Sequence, residues 1–217
     1  KNQFANGLGY ISASKRNVNV YKVQGQTIPY DDHEECGKDY IQFNDNGTGA
    51  NVDLSNYRVR LYSNGSTSAS GSANDVQLSG TLANGSTVVI RNSGASLYSG
   101  TTTVVASVNF NGNDAVALYR ISTNANVDII GRIGENPGTA WTATGITTVD
   151  KTLVRKASVT GGVTVNPTAG FPTLATEWTV LDTNDVSNLG SHTYSGLTAS
   201  FVPGYENVTV NGTNLNV

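Results

Sequence analysis

Short runs of alternating or β-branched residues, cut by Gly, Asn and Ser, recur along the chain and predict strands rather than helices. The clearest is Tyr57 to Tyr62 (YRVRLY), where Tyr57, Val59 and Leu61 point to one side of a strand and Arg58, Arg60 and Tyr62 to the other. That alternation predicts one buried face and one wet face. NVNVYKV (17–23) and the run opened by Tyr40, Ile41 and Phe43 predict two earlier strands. Residues 76–82 and 87–91 flank Asn84-Gly85, a pair that supplies the positive φ angles of a tight turn, so a hairpin is expected there. Runs at 104–110, 115–121 and 127–133, separated by NGND and STNAN, predict a three-stranded meander. Thr152 to Lys156 and Trp178 to Leu181 are shorter strand candidates. The Gly/Pro/Thr-rich stretch 160–176 between them, with Pro167 and Pro172, is expected to be a long ordered loop. No helix is required, although 182–189 could form one turn. At the end of the chain, Val208 and Val210 face Thr213 and Leu215 across Asn211-Gly212, which fixes the register of a small hairpin.

Length and composition narrow this all-β picture. A chain of 217 residues is long for one simple sandwich and short for two full domains, so one main core with appended elements is expected. Charged residues make up only 13%, the net charge is -3 and the pI is near 5.3. No overall positive field is available to attract a phosphate backbone, which argues against nucleic acid as a partner. Cys36 is the only cysteine and excludes an internal disulfide. No apolar run approaches the roughly 20 residues that a membrane helix needs. The chain opens at Lys1 without a charged and apolar leader, so any signal peptide is expected to have been removed.

Candidate chemistry is sparse. Asp31, Asp32, His33, Glu34, Glu35 and Cys36 form the densest ionisable cluster. The carboxylates of Asp31, Asp32, Glu34 and Glu35 are the ligand type that calcium takes, whereas zinc would need His33, Cys36 and two further ligands. The spacing matches neither a calcium loop nor a zinc module, and a solvated acidic loop is the simpler reading. Asn44, Asp45 and Asn46, and Asp182, Asn184 and Asp185, are smaller oxygen clusters better read as Asx turns. Ser191 and His192 are adjacent, so on a strand they point to opposite faces and cannot act together as nucleophile and base. Glu135 and Asp150 could flank a sugar only if the fold brought them together. No cofactor motif is present. Tyr62, Tyr119, Arg58 and Arg60 are the interaction candidates, because alternation turns them outward, where tyrosines stack on sugars or partners. Arg120, Arg132, Arg155 and Lys156 are read in the same way as solvent-facing strand residues.

Four stretches stand in a recognisable order: YIQFNDNGTGANVDLSNYRVRLYSNG (40–65), LSGTLANGSTVVI (78–90), FNGNDAVALYR (110–120) and VDIIGRIGENPGTAW (127–141). KTLVRKASV (151–159), ATEWTVL (175–181) and LGSHTY (189–194) follow. Together they resemble the bacterial lamin-tail domain. The resemblance implies an immunoglobulin-like β-sandwich over 40–194, with 1–39 adding N-terminal strands and the acidic loop and 195–217 adding a C-terminal strand or hairpin. It implies no catalytic residue, since members of the family serve as accessory modules beside nucleases, phosphatases and adhesion repeats in secreted bacterial proteins, and as the tail of nuclear lamins. One departure stands out, because the family pattern has Glu after Tyr-Ile and this chain has Gln42. Residues 201–217 are similar to the stretch that precedes fibronectin type III-like repeats in such proteins.

The function expected on these grounds is that of a non-catalytic, extracellular or cell-surface structural and adhesion module. It would associate with protein partners, or with itself, through sheet edges and terminal strands, as in a fibre or layer. The alternative is an accessory domain that binds carbohydrate or nucleic acid for a larger secreted hydrolase such as a nuclease.

Overall fold

The structure is a computed structural model and describes residues 21–23, 40–44, 50–98, 100, 104–106, 108–159, 161–192, 199–201, 207–210 and 213–216. These residues form strands and loops almost throughout; the one α-helical turn among them, α1, is Leu174–Glu177. It takes up the last residues of the predicted loop rather than lying at 182–189, where Asp185 and Leu189 close two successive turns on Asp182 and Val186.

Two sheets face each other across one core. The larger has the order β14 (Trp178–Leu181), β13 (Thr152–Arg155), β1 (Tyr21–Val23), β2 (Tyr40–Asn44), β7 (Thr87–Arg91), β8 (Val104–Val105). All its pairs are antiparallel except β7 with β8. The smaller has the order β10 (Ala125–Ile130), β9 (Ala115–Arg120), β4 (Tyr57–Tyr62), β5 (Asp75–Gln77) and is antiparallel throughout. Ile41, Phe43, Val88, Ile90 and Leu153 of the larger sheet meet Tyr57, Val59, Leu61, Val116, Leu118 and Ile130 of the smaller in a single apolar cluster. Short pairs β3 (Val52–Asp53) with β6 (Thr81–Leu82) and β11 (Thr142–Ala143) with β12 (Ile146–Thr147) join the loops. Both tryptophans, Trp141 and Trp178, lie in the core at 2% exposure, as large apolar anchors should.

Two predicted pairings are corrected. Residues 76–82 and 87–91 are not a hairpin: the first run breaks into β5 and β6, which pair with β4 and β3, while β7 pairs with β2 and β8. The turn itself forms at Asn84-Gly85, closed by Ser86 N–H on the Ala83 carbonyl with Gly85 at φ +73°, but it links two sheets rather than two neighbours. The break falls at Gly80, φ +88°. The expected meander is a hairpin of β9 and β10 only, because β8 joins the other sheet beside β7 and the chain from Val108 to Phe110 then drops into the core without pairing as a strand.

The outer faces are drier than alternation predicts. On the larger sheet, Tyr40 and Val89 are covered by Ala95, Tyr98, Val186 and Leu189. On the smaller, Tyr62, Ala115, Ala117 and Ile129 are covered by Ala69, Ile133 and Val163. Loops therefore cap each sheet from outside.

Beyond the two sheets, β15 (Ala199–Phe201), β16 (Asn207–Val210) and β17 (Thr213–Asn216) form a three-stranded antiparallel sheet. Its last hairpin has the predicted register, Val208 opposite Leu215 and Val210 opposite Thr213. Among the described residues no helix is long and apolar enough to cross a membrane.

Candidate functional site

The acidic cluster Asp31, Asp32, Glu34 and Glu35 lies outside the described residues, as do His33, Cys36, Asp45 and Asn46. The four interaction candidates can be followed, and the fold brings three of them, Arg58, Arg60 and Tyr119, onto one patch. Arg58 and Arg60 project from the outer face of β4, and Asp75, directly opposite Arg60 on β5, receives both guanidiniums at 3.1 and 3.2 Å. The Arg60 guanidinium also lies 3.5 Å over the ring of Tyr119, its diagonal neighbour on β9. The Tyr119 hydroxyl donates to Asn124. A shallow groove of about 410 Å³ runs beside this patch, lined by Arg58, Ala69, Gly71, Ser72, Asp75 and Gln77. Tyr62 is a correction: only 6% exposed, it packs on Ala115 and Ile129 rather than facing solvent. Burial raises its phenol above the ordinary range, partly offset by Arg60.

A second polar assembly was not legible as one. Arg155, expected on a wet face, is 1% exposed, and its Nη2 donates to Asp128 Oδ1 at 3.1 Å, with both side chains fully buried. The pair crosses between the sheets, since Asp128 belongs to β10 and Arg155 to β13. The guanidinium stacks on Trp178, 4.4 Å from its ring, and its Nη1 lies 3.6 Å from Glu177. Asp128 Oδ1 also accepts from the Val163 amide at 2.8 Å, whereas Oδ2 is buried without a partner. Burial pushes the Asp128 carboxyl up to about 6, with Arg155 and the Val163 amide pulling the other way. The sequence signal that could have found the pair is modest: an Arg in the otherwise uncharged TLVR strand is costly unless paired.

The remaining sequence candidates resolve into structural roles. Glu135 binds Arg132 at 3.0 Å and accepts from the Gly170 amide. Asp185 accepts from both the amide and the hydroxyl of Ser187, which is the Asx turn expected there, and exposed Asp182 pairs with Lys151. Burial lowers the His192 imidazole below its usual range, favouring the neutral ring. In the NGND turn, Asp114 accepts from the amides of Asn111 and Asn64.

Gln42 is fully buried and serves as a clamp. Its Oε1 accepts from the Gly190 amide at 2.6 Å and its Nε2 donates to the Ser191 carbonyl at 3.1 Å. A carboxylate could make the first bond but would face the Ser191 carbonyl with no proton to offer. Gln42→Glu is therefore expected to destabilise the fold by about 1–3 kcal/mol, read as a lowered urea midpoint with unchanged slope.

Compared with known proteins, the chain matches no family model, no curated protein and no solved structure.

Proposed function

We propose that the chain is a non-catalytic extracellular structural and adhesion module, built as an immunoglobulin-like sandwich of lamin-tail type and associating through its edges and terminal strands. The observation that carries this reading is where the charges go. Arg58 and Arg60 are spent on Asp75, Arg132 on Glu135, and Arg155 on Asp128 and Glu177. Side chains engaged in holding strands and loops together suit a module whose task is to keep its shape while its surface makes contacts.

The assembly part rests on β1 and the C-terminal strands. β1 lies inside the larger sheet between β2 and β13, with three residues paired to β2 and two to β13. A terminal strand in such a slot is the kind of element that exchanges between copies. The acidic run Asp31, Asp32, Glu34 and Glu35 is a solvated loop in this reading, with calcium there as the alternative that the same experiment tests.

Sedimentation velocity over a wide concentration series, with calcium and with chelator, tests this. Reversible association that weakens when the terminal strands are removed is the expected result. A strict monomer at every concentration and in both conditions overturns the assembly reading.

A further inference from the structure

Segment 161–170 runs along β10 and the residues after it, and is attached chiefly through side chains. At one end, the Arg155 Nη1 donates to the Gly161 carbonyl and the Val163 amide donates to Asp128. Gly162 lies so close to β10 that a Cβ there would stand 2.8 Å from Asp128 Cγ and collide with the Val127 carbonyl. Further on, Asn166 holds Ile133 from both sides, its Oδ1 accepting from the Ile133 amide at 2.8 Å and its Nδ2 donating to the Ile133 carbonyl at 2.9 Å. Arg132 donates to the Pro167 carbonyl, and Phe171 anchors the far end in the core, edge-on to Trp178. β10 is an end strand of its sheet. An uncovered end strand is a template for pairing with another chain, and this segment lies over it.

We propose that segment 161–170 is a strap closed over the outer edge of β10 by the buried Asp128–Arg155 pair, and that the charge state of Asp128 sets how readily it opens. The geometry supplies the coupling. The Val163 amide and the Arg155 guanidinium share Oδ1, while unpartnered Oδ2 can take up a proton without breaking either bond. Among the described residues, the charged groups facing Asp128 are Arg155 from β13 and Glu177 from the end of α1, and Glu177 remains beside the guanidinium when Asp128 is neutral. Closure buries the carboxyl and holds its proton to about pH 6, against an ordinary value of 3.8. Opening returns Asp128 to water. The closed strap thus binds the proton more tightly than the open one, so closure is favoured in mild acid. Opening becomes easier as the pH rises from about 4 to about 6 and levels off above that. Two units of displacement correspond to roughly a hundredfold change in the opening equilibrium.

Amide hydrogen exchange followed by NMR across pH, corrected for intrinsic exchange, tests the strap. The protection factors of Val163 and Ile133 are expected to fall together, by up to about a hundredfold between pH 4 and pH 7, and to stay below those of interior strand β9. In Asp128→Asn the two protection factors should be independent of pH over that range. Equal protection of strap and β9 amides, or a wild-type profile as flat as that of the variant, overturns the proposal. Should the variant fail to fold, the carboxyl carbon of Asp128 in the wild-type protein decides: a midpoint near 6 sustains the proposal and one at or below 3.8 overturns it.

Discussion

Replacement of Arg155 by methionine is expected to cost about 3–5 kcal/mol at neutral pH, among the largest losses any single substitution here should produce. Methionine keeps much of the stem's volume but removes the guanidinium that faces Asp128, along with the stacking on Trp178 and the bond to the Gly161 carbonyl. Asp128 is then buried without a counter-charge. It can escape only by holding its proton, and the free energy of doing so grows with pH. The sign follows from Arg155 lowering the Asp128 pKa in the wild-type fold. Without it the folded-state value climbs above about 6, and the added loss is absent where Asp128 is protonated in both proteins and increases above that by about 1.4 kcal/mol per unit until the variant's own value is reached. Urea unfolding at pH 5 and pH 8 checks this, with the larger midpoint shift expected at pH 8. A second variant, Arg155→Met with Asp128→Leu, separates loss of the pair from exposure of its survivor, because an apolar replacement of both partners is often neutral or stabilising. Equal losses in the single and double variants would show that the ion pair is not what joins the sheets.

Much of the architecture was legible from periodicity. Tyr57, Val59 and Leu61 enter the core as the YRVRLY alternation requires, and the register of the last hairpin could be written from Asn211-Gly212 alone. Pairing partners were less legible, since a strand pattern records which faces are apolar and not which neighbour covers them. The runs 76–82 and 87–91 therefore looked like partners across a turn, although β5 and β7 lie in different sheets. The shared placement of Arg58, Arg60 and Tyr119 was legible because they alternate outward, but the Asp75 that pairs with both arginines comes from a strand of only three residues. Tyr62 and Arg155 were misplaced for different reasons: Tyr62 does turn to the outer face, but Ala69, Ile133 and Val163 cover it there, whereas Arg155 shares the inward side of its strand with Leu153 and is buried against Asp128 of the other sheet. Gln42 was visible as a departure from a family pattern, and its meaning appeared only with the Gly190 and Ser191 backbone in place.

The same dependence on loops governs the other large effect, expected at Trp141. Its indole is 2% exposed and lies against Gly131, whose φ of +75° and absent side chain leave room for it; a Cβ there would stand 2.8 Å from the indole nitrogen. The indole N–H donates to the Asp114 carbonyl at 3.1 Å, and the Trp141 amide donates to Thr148 Oγ1 at 3.0 Å. Thr148 in turn donates to the Gly112 carbonyl. One residue thus ties two elements to the core, the NGND turn through its indole and the β11–β12 hairpin through its backbone amide. Trp141→Ala should cost about 3–5 kcal/mol from the cavity alone, with a further loss because the Asp114 carbonyl is left without its donor. Trp141→Phe fills most of the space but still lacks the N–H, so about 1–3 kcal/mol is expected. Gly131→Ala should resemble the alanine variant more than the phenylalanine one, since it combines a left-handed backbone with a collision against the ring. Chemical denaturation of the three variants orders them. If Trp141→Ala falls within about 1 kcal/mol of wild type, the end of the core relaxes freely into the space, and the turn and hairpin are held by their backbone bonds rather than by the indole.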